Sequence, residues 1–244
     1  MNHSSTYQTS MFIDPEMYIE YNFSFDTGRV LHYRIPFQRE NQPPVRDEHT
    51  EWTQLTYHQC ANCPLNPHEH TFCPVAVDAQ EIILGFREVL SYREGDVRVS
   101  TPDREYFRRC DAQTGLRSLI GFVMATSRCP ILEPLRGMAH FHLPFASLDE
   151  IVYRATSSYL LIQYYRYKDG QSPDLNLEGL KTQYQEIQTL NYHFLQRIRA
   201  ASEGDASLDV LATLFSISAL FSFSLEQHLE QLKPVFLKDS DVAG

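Results

Sequence analysis

From Ile19 to Phe25 apolar and polar residues alternate without exception, with Ile19, Tyr21, Phe23 and Phe25 on one side and Glu20, Asn22 and Ser24 on the other. A second such run follows, carrying Leu31, Tyr33, Ile35 and Phe37 on its apolar side. A period of two residues is that of an extended strand, whose successive side chains leave opposite faces. Between the runs lies Asp26-Thr27-Gly28-Arg29, where Gly28 can adopt the positive φ that a tight turn demands. The pattern specifies a β-hairpin. An isolated hairpin is marginal in water, so its apolar face must be covered by other elements. This is the strongest constraint on the fold.

The cover is supplied by a chain that reads as mainly helical. Residues 38–51 are charged, contain Pro43-Pro44 and mark a connecting loop. Residues 58–74 are rich in Cys, His and Pro, which gives irregular backbone. Beyond them, Ile82, Ile83, Phe86 and Leu90 recur at helical spacing within Val75–Arg93. Residues 96–101 suit a short strand. A second helix is expected over Arg104–Thr126, with Tyr106, Phe107, Leu116, Leu119, Ile120 and Val123 buried and Cys110 in its core. Ser147 with Glu150 forms a capping box opening a helix that Asp169-Gly170 closes. Two further helices are expected, over Asp174–Ala201 and, capped by Asp205, from Ala206 to Leu232. The fold class is therefore α+β, mainly α: a hairpin and Cys-rich loop packed on about five helices. Residues 16–235 read as a single domain (16–74 the hairpin and Cys-rich loop, 75–235 the helical body), between a mobile segment at 1–15 and a tail at 236–244.

Composition narrows the functional classes. A net charge of −10 argues against a general nucleic-acid binder, which needs clustered Lys and Arg. The longest uncharged run, Val210–Leu225, has sixteen residues and is interrupted by Thr213 and four serines. A membrane span needs about 20 apolar residues, so this run reads as a core helix. The N-terminus shows no secretory signal, and cytoplasmic cysteines are reduced thiols or metal ligands more often than disulfides. A cytoplasmic chain is expected. Its oligomeric state and any protein partner are not legible.

The chemistry sits in His58-Gln-Cys60-Ala-Asn-Cys63-Pro-Leu-Asn-Pro-His68-Glu-His70-Thr-Phe-Cys73-Pro. Two thiolates separated by two residues grip one ion from a single turn, and thiolate is a soft donor suited to zinc or iron–sulfur clusters. Cys73 supplies a third ligand. For the fourth, Cys129 is the leading candidate because Cys129-Pro130 repeats Cys63-Pro64 and Cys73-Pro74. His58, His68, His70, His140 and His142 are the alternatives. Zinc is the leading cofactor and a [4Fe–4S] cluster the alternative. A redox dithiol at Cys60/Cys63 is disfavoured by Pro64 and Pro67, which oppose the helix such a motif opens. In an extended His140-Phe141-His142 both imidazoles would share a face; a packed linker with hydrogen-bonded histidines is the plainer reading. Arg98, Arg104, Arg108, Arg109 and Arg117 alternate with acids and read as a salt-bridged surface. Tyr159, Tyr164, Tyr165 and Tyr167 read mostly as core or interface. No catalytic motif is present. An enzyme with His140, His142 and the arginines converging on one pocket is a further alternative.

The segments CANCPL (60–65), FCPVA (72–76), TSRCP (126–130), MAHFHLPFAS (138–147) and YLLIQYY (159–165) resemble a bacterial family known only as a domain of unknown function. The resemblance spans roughly residues 18–235 and is most specific at 138–147. It implies that Cys60, Cys63, Cys73 and Cys129 form one site and implies no reaction. Arg128 departs from it, standing where a smaller residue is expected. The expectation is a bacterial, cytoplasmic, non-enzymatic metal-binding protein acting as a binding or signalling accessory.

Overall fold

A computed structural model describes residues 17–39, 49–201 and 205–237; the segments expected to be mobile (1–15) or a tail (236–244) lie almost wholly outside them. The hairpin is present, with β1 (Tyr18–Phe25) antiparallel to β2 (Val30–Pro36) and Tyr21 opposite Tyr33. Its turn closes through Phe25 N–H to Arg29 O at 2.9 Å, and Gly28 has φ +83°. It is half of a larger sheet. β3 (Glu94–Ser100) pairs with β1, and β4 (Glu105–Asp111) pairs with β3, giving the antiparallel order β2-β1-β3-β4.

The helices are α1 (Pro74–Gly85), α2 (Ala112–Thr126), the short α3 (Arg136–His140), α4 (Leu148–Lys168), α5 (Glu178–Ala201) and α6 (Asp205–Phe236). The architecture is α+β and mainly α. No helix among the described residues is long and apolar enough to cross a membrane. Residues 210–225 lie in α6, which bends at Ser224, where φ is −137° and ψ 15°. Ser147 and Glu150 complete the capping box, and Gly170 closes α4 at φ +76°.

Three expected boundaries are corrected. Residues 104–126 are not one helix, because the first part pairs with β3 as β4. Cys110 and part of Tyr106 turn inward while Glu105, Phe107 and Arg109 face out, a period of two. Thr101 and Arg104 close the connecting turn, and Asp111 caps α2 by accepting from Thr114 N–H at 2.7 Å. Phe107 is consequently exposed and Cys110 is buried in a strand. The helix expected to reach Arg93 stops at Gly85, where Phe86 turns in and sets its ring edge-on to Phe23, centroids 5.1 Å apart. The helix expected from Asp174 begins at Glu178 instead. Asp174 accepts from the Tyr159 hydroxyl at 2.7 Å and Gly179 N–H at 2.8 Å, and so ties the end of α4 to the start of α5.

The apolar face of the sheet is covered by α1 and α2 in a core that includes Tyr21, Phe23, Phe86, Leu116 and Leu119 and extends to Phe194 and Ile198 of α5. A second cluster joins α4, α5 and α6 around Tyr184 and Phe221, whose rings stack at 3.8 Å. Tyr159 belongs to it, but Tyr164, Tyr165 and Tyr167 are exposed, so most of the tyrosine stretch is surface rather than core.

The approach of α2 to the sheet depends on Gly115. A Cβ there would lie 2.7 Å from Phe23 Cε1 and 3.0 Å from Val97 Cγ2. Gly115→Ala is therefore expected to destabilise the fold by about 1–3 kcal/mol despite the better helix propensity of Ala, as measured by urea unfolding; an unchanged midpoint would show that the helix can ride outward without cost.

Candidate functional site

The Cys-rich segment is irregular but tied down. Leu55 N–H donates to Thr71 O at 2.9 Å and Cys73 N–H to Thr53 O at 2.8 Å, so residues 53–55 and 71–73 run side by side and the loop between them is closed at its base. Within the loop, Cys63 N–H donates to Cys60 O at 3.0 Å, which makes the CxxC a single tight turn. Asn62, in that turn, donates through its amide to the backbone and carboxylate oxygens of Glu186 on α5.

Arg197 on α5 holds the base of the loop. Its side chain is 1% exposed, and its guanidinium donates to Trp52 O and Gln54 O at 2.6 Å and to Leu55 O at 3.2 Å. A planar fork with five donors serves several carbonyls at once, which a lysine cannot do. The periodicity of α5 gives no sign of this residue, since it falls beside Ile198 on a face that reads as core. A cation inside an apolar helix face would have been the signal.

Cys73 is the N-cap of α1 with Pro74 behind it, and the amides of Val75 and Ala76 lie where they favour its thiolate. Cys129 repeats the arrangement with the N–H groups of Ile131 and Leu132. Proline after each cysteine removes one amide and fixes the φ that directs the following amides back at sulfur. These donors and the Arg197 charge favour thiolate; burial opposes it more strongly, and the Cys60 thiol is pushed up to about 12 and that of Cys129 to about 11. Negative charge on the neighbouring sulfurs adds to the effect, and every pair among Cys60, Cys63, Cys73 and Cys129 is close enough to feel it. The CxxC turn, the start of α1 and the segment after α2 thus bring their thiols within electrostatic reach of one another. Cys110 stands apart: burial raises it to about 11, and its charged neighbours are Arg108, Asp111 and Glu94.

Of the histidines, His68 and His70 are exposed. His140 ends α3 with its ring 5.9 Å from that of Phe37, and His142 Nε2 is 2.6 Å from the Tyr21 hydroxyl. As the side chains stand, no group of three or more His, Cys, Asp or Glu among the described residues is placed to hold a metal ion.

A cavity of about 160 Å³ lies between α2, α3, α5 and α6, walled mainly by apolar side chains. His142 and Arg117 line it, as does Arg154 of α4. His140, Arg98, Arg104, Arg108 and Arg109 do not, so the residues expected to converge in a catalytic pocket are largely dispersed. Arg109 instead pairs with Asp26 at 2.7 Å and Asp96 at 3.2 Å on the sheet surface. His142 ends a chain of hydrogen bonds in which Phe145 N–H donates to Ser118 Oγ at 3.2 Å, Ser118 lies 2.9 Å from the Tyr21 hydroxyl, and Tyr21 reaches His142. Burial, aided by the Arg154 charge, lowers the His142 imidazole to about 3 and keeps it neutral.

A family model described as a domain of unknown function (DUF6901) matches residues 19–237. The chain belongs to this family. Neither a curated protein nor a solved structure matches it. In this DUF6901 member the match takes in the sheet from Ile19 onward, the four candidate cysteines and the cavity. Arg128, where a smaller residue is expected, is exposed next to Cys129.

Proposed function

We propose that this protein is a non-enzymatic metal-binding protein in which Cys60, Cys63, Cys73 and Cys129 hold a structural zinc ion, serving as a binding or signalling accessory in a bacterial cytoplasm. One observation supports the proposal: thiols from three separate stretches of chain lie within electrostatic reach of one another, and burial together with neighbouring sulfur charge raises Cys60, Cys73 and Cys129. Soft thiolates bind zinc, and a divalent cation removes the mutual repulsion that burial otherwise enforces. The backbone amides on Cys73 and Cys129 and the cationic Arg197 offset the excess negative charge of four thiolates. Bound there, zinc would supply cross-linking of irregular backbone rather than a reaction. The four residues would fasten the loop at 54–72 to the start of α1 and the end of α2.

Cys60→Ser and Cys129→Ser test this. Each is expected to open the 54–72 loop to limited proteolysis while the far-ultraviolet helical signal stays near wild type, because the helices have cores of their own. Loss of all helical signal in Cys60→Ser would contradict a local structural role.

The same geometry favours one second reading, an iron–sulfur redox or sensor protein with the same four ligands. Hydrogen bonds to sulfur and burial are the levers that set the potential of such clusters, and paired amide donors at Cys73 and Cys129 are of that kind. A brown protein with broad visible absorbance after anaerobic purification would select it over zinc.

A further inference from the structure

We infer that the cavity between α2, α5 and α6 is a binding site for a small organic carboxylate that carries an apolar body and a hydrogen-bond donor at its far end. The cavity's size and walls set the body. About 160 Å³ of half-open space walled mostly by apolar side chains such as Phe122, Leu132 and Ile187 has the volume of an engineered cavity of roughly 150 Å³ that takes up benzene.

Charge sets one end. Arg117 and Arg154 line the cavity and no Asp or Glu does, in a chain of net charge −10. Neither arginine has a carboxylate within ion-pairing distance among the described residues. Arg154 spends one terminal nitrogen on Met138 O at 2.6 Å and Phe141 O at 2.8 Å, and its other donors have no hydrogen-bond partner among the described residues. Glu150, one turn earlier, is occupied in the capping box. Glu150 acts on Arg154 only at a distance, a half-buried guanidinium without a contacting carboxylate is costly, and a planar carboxylate is the anion whose geometry matches it.

Asn191 sets the other end. It is 3% exposed, and its Nδ2 donates to Leu214 O at 3.2 Å and Ser218 Oγ at 3.1 Å, which fixes the amide's orientation. Its Oδ1 has no partner among the described residues and belongs to a residue that lines the cavity. A buried carbonyl oxygen left without a donor is unfavourable, so a ligand hydroxyl or amine that reaches it gains about tenfold in affinity over one that lacks it. Tyr184, which feels the charge of Arg154, stands about 10 Å from Asn191 along α5, and that rise sets the chain length of the ligands to be tried. Phe145 in the wall holds φ at +60°, strained for a bulky side chain, and its N–H is satisfied by Ser118.

The test is calorimetric titration of the full chain with 8-hydroxyoctanoate, octanoate and octanol. The hydroxy acid should bind tightest, with octanoate about tenfold weaker for want of the Asn191 contact and octanol weaker still. Arg154→Leu should erase the preference for acid over alcohol, and Asn191→Leu the preference for hydroxyoctanoate over octanoate. Because both variants also disturb native contacts, Gly121→Leu provides the decisive control. Gly121 lines the cavity, and a Cβ there meets nothing within 4 Å, so leucine fills the space while the fold gains stability. Loss of binding in this more stable variant supports the site. Binding unchanged in Gly121→Leu, or none of the three ligands bound by wild type at roughly millimolar concentration, overturns it.

Discussion

Replacing Arg197 by methionine is expected to cost about 4 kcal/mol and lower the melting temperature by roughly 8–16 °C for a chain of this size. The side chain is enclosed and serves three carbonyl oxygens of the segment that leads into the cysteines, Trp52, Gln54 and Leu55. Methionine fills most of the volume but donates nothing, which leaves those oxygens dry. Each charged hydrogen bond contributes about 1.5–3 kcal/mol and each abandoned acceptor costs on the same scale, with part recovered by local relaxation. Lysine should recover less than half, because a single ammonium cannot match the fork. Thermal unfolding followed by circular dichroism decides the matter. A loss under about 1 kcal/mol would show that the loop is held by other means.

Acid should find a second weak point at His142. In the unfolded chain this imidazole takes a proton at its ordinary value of 6.5, whereas in the fold burial holds it at about 3. Between those limits the unfolded state binds more protons, so folding stability falls as pH drops below 6.5 and levels off near the folded value. The slope is about 1.4 kcal/mol per pH unit, or about 2 kcal/mol lost by pH 5 from this residue alone. His142→Gln keeps an acceptor for the Tyr21 hydroxyl and cannot titrate. The gap in stability between variant and wild type should therefore shift by about 2 kcal/mol in the variant's favour between pH 7 and pH 5. Parallel pH curves for the two proteins would mean that the ring is hydrated when protonated.

The hairpin was legible because strict alternation and Gly28 leave no competing period. Ser147 with Glu150 and Asp169-Gly170 were legible because caps are local chemistry. β4 was not: Glu105–Asp111 joins directly onto α2, and Arg108, Arg109 and Phe107 supply no clear alternation, so helical spacing beyond Asp111 extended backward over it. Only pairing with β3 makes the segment extended. α1 ended early for a tertiary reason too, the demand for Phe86 beside Phe23. At the candidate site the repeated Cys-Pro step pointed to Cys129, whose thiol is within electrostatic reach of Cys60, Cys63 and Cys73. Arg197, Arg154 and Asn191 could not be singled out, since each acts through carbonyls or a cavity contributed by distant segments.

The most direct test of the metal-centre proposal is elemental analysis of the wild-type protein purified without oxygen, beside Cys60→Ser prepared identically. About one zinc per chain in a colourless wild-type protein, reduced in the variant, is the expected result for a four-thiolate structural site. Wild-type protein that folds fully without any metal, and takes up none when zinc is added, would contradict it.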